Sequence, residues 1–237
     1  MTLQDFLTHP LGPFTPLDVV ALAFLLISWV WIGWRIEHPP QGNPSVSQLM
    51  VGYRREWMRQ FITRQPRIFD AGIMDSLRQG TTFFASACMI AIGSGAALLG
   101  NTERLAGLAN DLALGQAPEL LWEAKLLTVL MFVTNAFLKF VWSHRLFGYC
   151  AITMASVPND VADPLSPHRA QQAAELNISA AKSYNRGLRA IYFALGTLPW
   201  LLGPVPLMLA TVVTLTVLWR REFGSGSRRV LMVRAPE

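Results

Sequence analysis

Charge is the first thing this sequence lacks. Only 15% of its 237 residues are Asp, Glu, Lys or Arg, whereas a soluble domain carries about 25%. Hydrophobic residues reach 52% and the mean hydropathy is +0.33. So little charge cannot cover a water-exposed surface, and much of the chain is expected to face lipid. Cysteine is nearly absent as well. Cys88 lies in an apolar run and Cys150 near the basic end of another, so no disulfide framework is expected. No Lys or Arg precedes Arg35, which leaves the first apolar run without the basic leader of a cleavable signal peptide, and it is expected to stay in the mature protein.

Signatures of catalysis are missing too. There is no Walker loop, no GxGxxG and no HExxH. His9, His38, His144 and His168 are scattered, without metal-ligand spacing, and a haem would need axial His or Met on facing helices. No cofactor, metal or nucleic-acid partner is expected, and an enzymatic role is disfavoured. The lack of an acidic residue in mid-membrane argues against a proton-coupled pump.

What the chain does have is long apolar runs. The stretch Glu119–Cys150 opens ELLWEAK, passes through LLTVLMFVTNAFL without Gly or Pro, and closes KFVWSHRLFGYC. Trp122 and Trp142 mark its two ends as interfacial anchors would. A bilayer core of ~30 Å needs ~20 apolar helical residues, so this is a transmembrane helix with its basic end in the cytoplasm. Two earlier runs read the same way, Leu17–Trp34 and Thr81–Leu99. The second is rich in small residues, and Ser86, Gly93 and Gly95 are candidates for close helix packing. Between these runs, residues 45–80 form an amphipathic basic segment. Its apolar stripe, which includes Tyr53, Trp57 and Phe61, fits either a membrane surface or the protein's own helices. A separate short helix is expected after Pro66, and Asp70 is a salt-bridge partner for an arginine. A short interfacial helix is expected in LAGLANDLAL.

A long helix is expected to start near Ser166 or Pro167. The apolar run that follows it is interrupted by LLGPVP, and either one kinked span or two spans joined by a tight turn would fit. Arg186 and Arg189 precede the run; Arg220, Arg221, Arg228 and Arg229 follow it. Basic residues gather on cytoplasmic loops, so both ends belong inside and the chain crosses twice. The expected fold is all-α and integral to the membrane. It has five spans, at 17–34, 81–99, 121–142, 188–202 and 204–219, with the amino-terminus outside and the carboxy-terminus inside. Residues 1–223 form one domain and 224–237 a flexible basic tail. The outer segments then hold Arg104 against Asp5, Asp18, Glu103, Asp111 and Glu119.

The candidate site is basic and aromatic, at the inner face. Lys139, Arg145 and Tyr149 lie on the helix of the third span and its inner extension, and Lys182, Asn185, Arg186 and Arg189 on that of the fourth. If the two helices are neighbours, these groups ring a mouth for a phosphate, a lipid head group or a permeating anion. Ordinary positive-inside and snorkelling residues would look alike, and both readings stay open. Lys139 lies about one turn inside the interface, where an unpartnered charge is costly.

The blocks YRREWMRQ, RQPRIFDA, TTFFASACMIAIG, KFVWSHRLFGYC, AKSYNRGLRAIYFALG and WRREF resemble a family of bacterial multi-pass membrane proteins filed under a domain of unknown function. The resemblance runs from about Val19 to Phe223. Matching positions include Arg55, Trp57, Met58, Arg67, Asp70, Phe84, Lys139, Trp142, Ser143, Arg145, Tyr149 and Cys150. Asn185, Arg186, Gly187, Arg189 and Tyr192 match as well. Where the family tends to carry Gln-Tyr-Asn, this chain has Leu146-Phe147-Gly148. The resemblance implies a bacterial inner-membrane location and no reaction. A non-enzymatic bundle that binds an anionic ligand or lipid, as a channel or transporter, is expected. An accessory or scaffold subunit of a larger membrane complex is the alternative. Membrane lipids and a homo-oligomer, or partner subunits, are the expected associates.

Overall fold

Some of the helices begin where the sequence supplies a capping side chain. In the computed structural model, which describes residues 14–100 and 119–233, Thr15 and Asp18 form a capping box. With Pro16 in the first turn they launch α1, Pro16–Glu37. Ser45 caps α2, Val46–Phe61, and its hydroxyl also donates to the Ile36 carbonyl at 2.8 Å, closing the short connection between the two helices. The remaining helices are α3 (Ile68–Leu99), α4 (Glu119–Ala155), α5 (Leu165–Thr197), α6 (Pro204–Phe223) and α7 (Gly226–Met232). A 3-10 turn, Leu198–Leu202, joins α5 to α6. Among the described residues there is no strand.

Three helices, α1, α3 and α4, are long and apolar enough to cross a membrane. Their outward faces are greasy: Ile27, Val30 and Trp34 on α1, Phe83 and Ile90 on α3, and Leu127 and Leu138 on α4 are exposed. A soluble protein rarely leaves so much contiguous apolar surface bare. These are the marks of a membrane protein.

Two stacked cores hold the bundle. The first gathers Ala21, Leu25 and Ile32 of α1, Cys88 of α3, Phe132, Ala136 and Phe140 of α4, Ala190 and Phe193 of α5, and Leu207 and Leu218 of α6. The second lies beyond the apolar spans and joins Met58 and Phe61 of α2, Met74 of α3, Leu146, Phe147, Cys150 and Met154 of α4, and Ala173 and Ala174 of α5. Both α4 and α5 run through the two cores and make the closest pairing. Ser143 donates to the Ala180 carbonyl at 2.8 Å, and Ser183 donates back to the Lys139 carbonyl at 2.9 Å. Gly187 leaves room for the Phe140 ring; a Cβ there would lie 2.8 Å from a ring carbon.

The apolar run after Arg189 turns back on itself. Gly203 has φ +127°, a conformation side chains rarely allow. Gly196 of α5 then faces Thr214 of α6, and Arg221 donates to the Tyr192 hydroxyl, so the two helices run antiparallel. The turn is pinned from α1, because Trp200 donates to Asp18 at 2.8 Å.

One expectation is corrected by α3. The short helix after Pro66 and the span 81–99 are one continuous helix of 32 residues, since nothing between them removes a hydrogen bond. The amphipathic segment α2 packs on α5, with Met58 and Phe61 buried. The segment after 224 carries α7, and Arg228 donates to the Pro44 carbonyl at 2.9 Å and to Asn43 at 2.6 Å. LAGLANDLAL, with Glu103, Arg104 and Asp111, lies outside the described residues, as does Asp5.

Candidate functional site

Helical spacing sets Lys182, Arg186 and Arg189 on one side of α5. The carboxyl end of α1 lies beside them, and there Glu37 takes both arginines. Arg186 makes a fork to it, Nε to Oε1 at 2.9 Å and Nη2 to Oε2 at 2.5 Å. Arg189 adds a third bond to Oε1 at 2.5 Å. The Arg189 side chain is 8% exposed and that of Glu37 18%, so this is a largely desolvated pair rather than a loose surface contact. Charge-assisted bidentate contacts of this kind are strong, and half of one removed would strand a buried charge.

Beside the triad lies a groove of about 360 Å³. Trp29, Val30, Gly33 and Trp34 of α1 form one wall, Asn135 and Lys139 of α4 the other, and Arg186, Arg189 and Glu37 the polar end. Three cations thus face one carboxylate. Lys139 forms no ion pair with any described residue. Asn135 sits one helical turn from it toward the apolar core.

The expected ring of basic and polar groups is therefore divided. Lys139, Arg186 and Arg189 meet in the groove. Lys182 and Asn185 line a separate cavity of about 250 Å³ on the other side of Glu37, with Arg54 of α2 and Glu222 of α6. There Glu222 accepts from the Ser47 backbone and hydroxyl, both at 3.0 Å, and Asn185 donates to the Ser47 hydroxyl at 3.4 Å. Arg145 and Tyr149 lie further along α4 and partner each other: Nε donates to the phenol oxygen at 2.5 Å, and both side chains are exposed. Of the packing candidates, Gly95 is buried, and a Cβ there would lie 2.5 Å from Leu130 of α4. Ser86 and Gly93 stand on the exposed face of α3.

Several polar groups hold the frame around the site. Asp70 is fully buried and accepts from Trp57 Nε1 at 2.6 Å and from Arg64, the arginine partner its sequence position called for. Arg67 donates to the carbonyls of Val157 and Pro158 at 2.9 and 3.0 Å, tying α3 to the end of α4. Arg54 donates to the buried Asn177, and burial pushes its guanidinium below its ordinary pKa. Its neighbour Arg55 is fully charged against Glu175 at 2.8 Å, which raises its pKa. His144 Nδ1 lies 3.1 Å from the Thr81 hydroxyl, a structural bond between α3 and α4. At the far end of the bundle, Lys125 is buried over the Trp122 ring at 4.9 Å and within electrostatic reach of Asp18. Among the described residues no group of three His, Cys, Asp or Glu is placed to hold a metal ion.

Residues 20–227 match the family described as "Protein of unknown function, DUF599". The chain belongs to that family. No curated protein and no solved structure matches it. The matched region of this DUF599 protein holds every residue of the groove and of the neighbouring cavity.

Sequence reasoning did not place Glu37 in the site; it served only as the end of the first span. One signal was available. An acid that closes an apolar run on the same leaflet as two unpaired arginines needs a cation nearby, and they need it.

Proposed function

We propose that this DUF599 protein is a non-enzymatic helical bundle of the bacterial inner membrane. It binds an anionic ligand or lipid head group in the groove between α1, α4 and α5, and serves as a channel or transporter, alone or as a homo-oligomer. The carrying observation is the excess of cations in that groove: Glu37 answers the two arginines and nothing described answers Lys139. Partly desolvated cations in excess favour a bound anion. Five spans with the amino-terminus outside are part of the proposal. The antiparallel α5–α6 pair, the exposed apolar face of α6 at Val205, Leu209 and Val213, and the arginines before the apolar run of α5 (Arg186, Arg189) and at the end of α6 (Arg220, Arg221) support that count.

The test is native mass spectrometry of gently solubilised protein in the presence of phosphatidylglycerol. The wild type should retain the anionic lipid, and Lys139→Gln and Arg186→Ala should each retain several-fold less. Equal, negligible retention by all three would remove the reading.

A second reading, an accessory subunit of a larger membrane complex, is favoured by α3. It packs chiefly on α4 and leaves Ser86, Gly93 and Ala97 bare. A stoichiometric partner recovered in mild detergent would support it, and a clean homomer would count against it.

A further inference from the structure

We propose that Glu37 is a built-in competitor in the groove: its carboxylate holds Arg186 and Arg189 until the phosphate of an anionic phospholipid displaces it. The proposal rests on the reading of the groove as an anion site and adds to it the ligand class and the means of regulation.

Glu37 occupies the fork as a ligand would. Both of its oxygens bind Arg186, and one also receives Arg189. A phosphodiester presents two oxygens at similar spacing and is the other anion that arginine binds bidentately. A phosphate arriving in this groove would add contact with Lys139, which the carboxylate does not reach within 4 Å. The site therefore offers an incoming phosphate one cation more than it offers Glu37.

The displaced carboxylate has somewhere to go. Glu37 also lines the neighbouring cavity of about 250 Å³, where Lys182, one turn from Arg186 on α5, is exposed and has no ion-pair partner among the described residues. Glu222 in that cavity is already engaged by Ser47. A rotation of the Glu37 side chain exchanges the two arginines for this lysine, so leaving the groove does not leave a bare buried charge.

The walls select a lipid over a free phosphate. The groove follows α1 from Trp29 to Glu37, about 12 Å at the helical rise. Val30 and Trp34 are 64% and 59% exposed along it, on the surface that the membrane reading turns toward acyl chains. An anion with an attached apolar chain fits both ends; inorganic phosphate fits only one.

The experiment uses the full chain in detergent and reads retention of phosphatidylglycerol against phosphatidylcholine, with and without millimolar inorganic phosphate. Glu37→Gln should retain phosphatidylglycerol more strongly than the wild type, by on the order of fivefold, because the competing charge is gone. Glu37→Asp, which keeps the charge but is one methylene short of the fork, should show a smaller gain. Inorganic phosphate should not displace the lipid. If Lys139→Gln weakens binding but neither Glu37 variant strengthens it, the competitor role is overturned and the anion site stands. If no protein binds the lipid, the underlying reading falls with it. If inorganic phosphate displaces the lipid completely, the lipid assignment is overturned. Should Glu37→Gln fail to fold, the Glu37→Asp result decides, and no gain there overturns the proposal.

Discussion

Asp70 shows how a single residue can be legible in a sequence while its neighbourhood is not. An acid between two basic helices calls for an arginine, and Arg64 answers it. The second partner, Trp57 Nε1 at 2.6 Å, is thirteen residues away across a turn that no periodicity reports. Glu37 is the harder case: its partners Arg186 and Arg189 lie 149 and 152 residues downstream, so only the packed bundle pairs them. Because Asp70 is wholly buried, Asp70→Ala strands the Trp57 donor and part of the Arg64 charge. The expected loss is about 3 kcal/mol, read as a lowered melting temperature in detergent. An unchanged melting temperature would mean that the pair is solvated after all.

At the scale of elements, hydrophobic runs and caps carried most of the information. Thr15, Pro16, Ser45 and the Leu198–Gly203 break all mark helix ends that follow from local chemistry. Continuity was less visible. The helix expected after Pro66 and the span 81–99 proved to be one, because a helix tolerates glycine when its hydrogen bonds survive, and α3 runs through both Gly72 and Gly80. Leu146 and Phe147 are both buried in the second core, where apolar groups pack at no polar cost. The α4–α5 pairing was open to sequence reasoning only as a conditional, yet Gly187 beneath Phe140 sets its closeness. Gly187→Leu should therefore destabilise the bundle by about 1–3 kcal/mol through overpacking. Gly52→Ala on α2, where a Cβ meets nothing within 4 Å, should be neutral or gain up to ~1 kcal/mol. Thermal melting of the two variants side by side checks the contrast, and equal effects would remove the close α4–α5 contact as its cause.

At the scale of the molecule, the bundle has two chemically distinct ends. One gathers Asp18, Trp200 and Lys125; the other gathers Glu37, Arg186, Arg189 and the Arg35 guanidinium over the Trp219 and Phe223 rings at 5.3 and 4.9 Å. The apex of the α5–α6 turn belongs to the first end and the base of α6 to the second. If basic residues mark the cytoplasmic side, a probe that cannot cross the membrane should reach a cysteine at Val205 only from outside and one at Arg229 only from inside. The chain suits this measurement, since Cys88 and Cys150 are free and buried at 2% and 0% exposure and should stay silent until the protein unfolds. Labelling of both engineered positions from the same side would mean that α5 and α6 lie along one leaflet rather than across the bilayer. Glu37 and its arginines would then meet water, and the desolvation that makes Lys139 seek an anion would be lost.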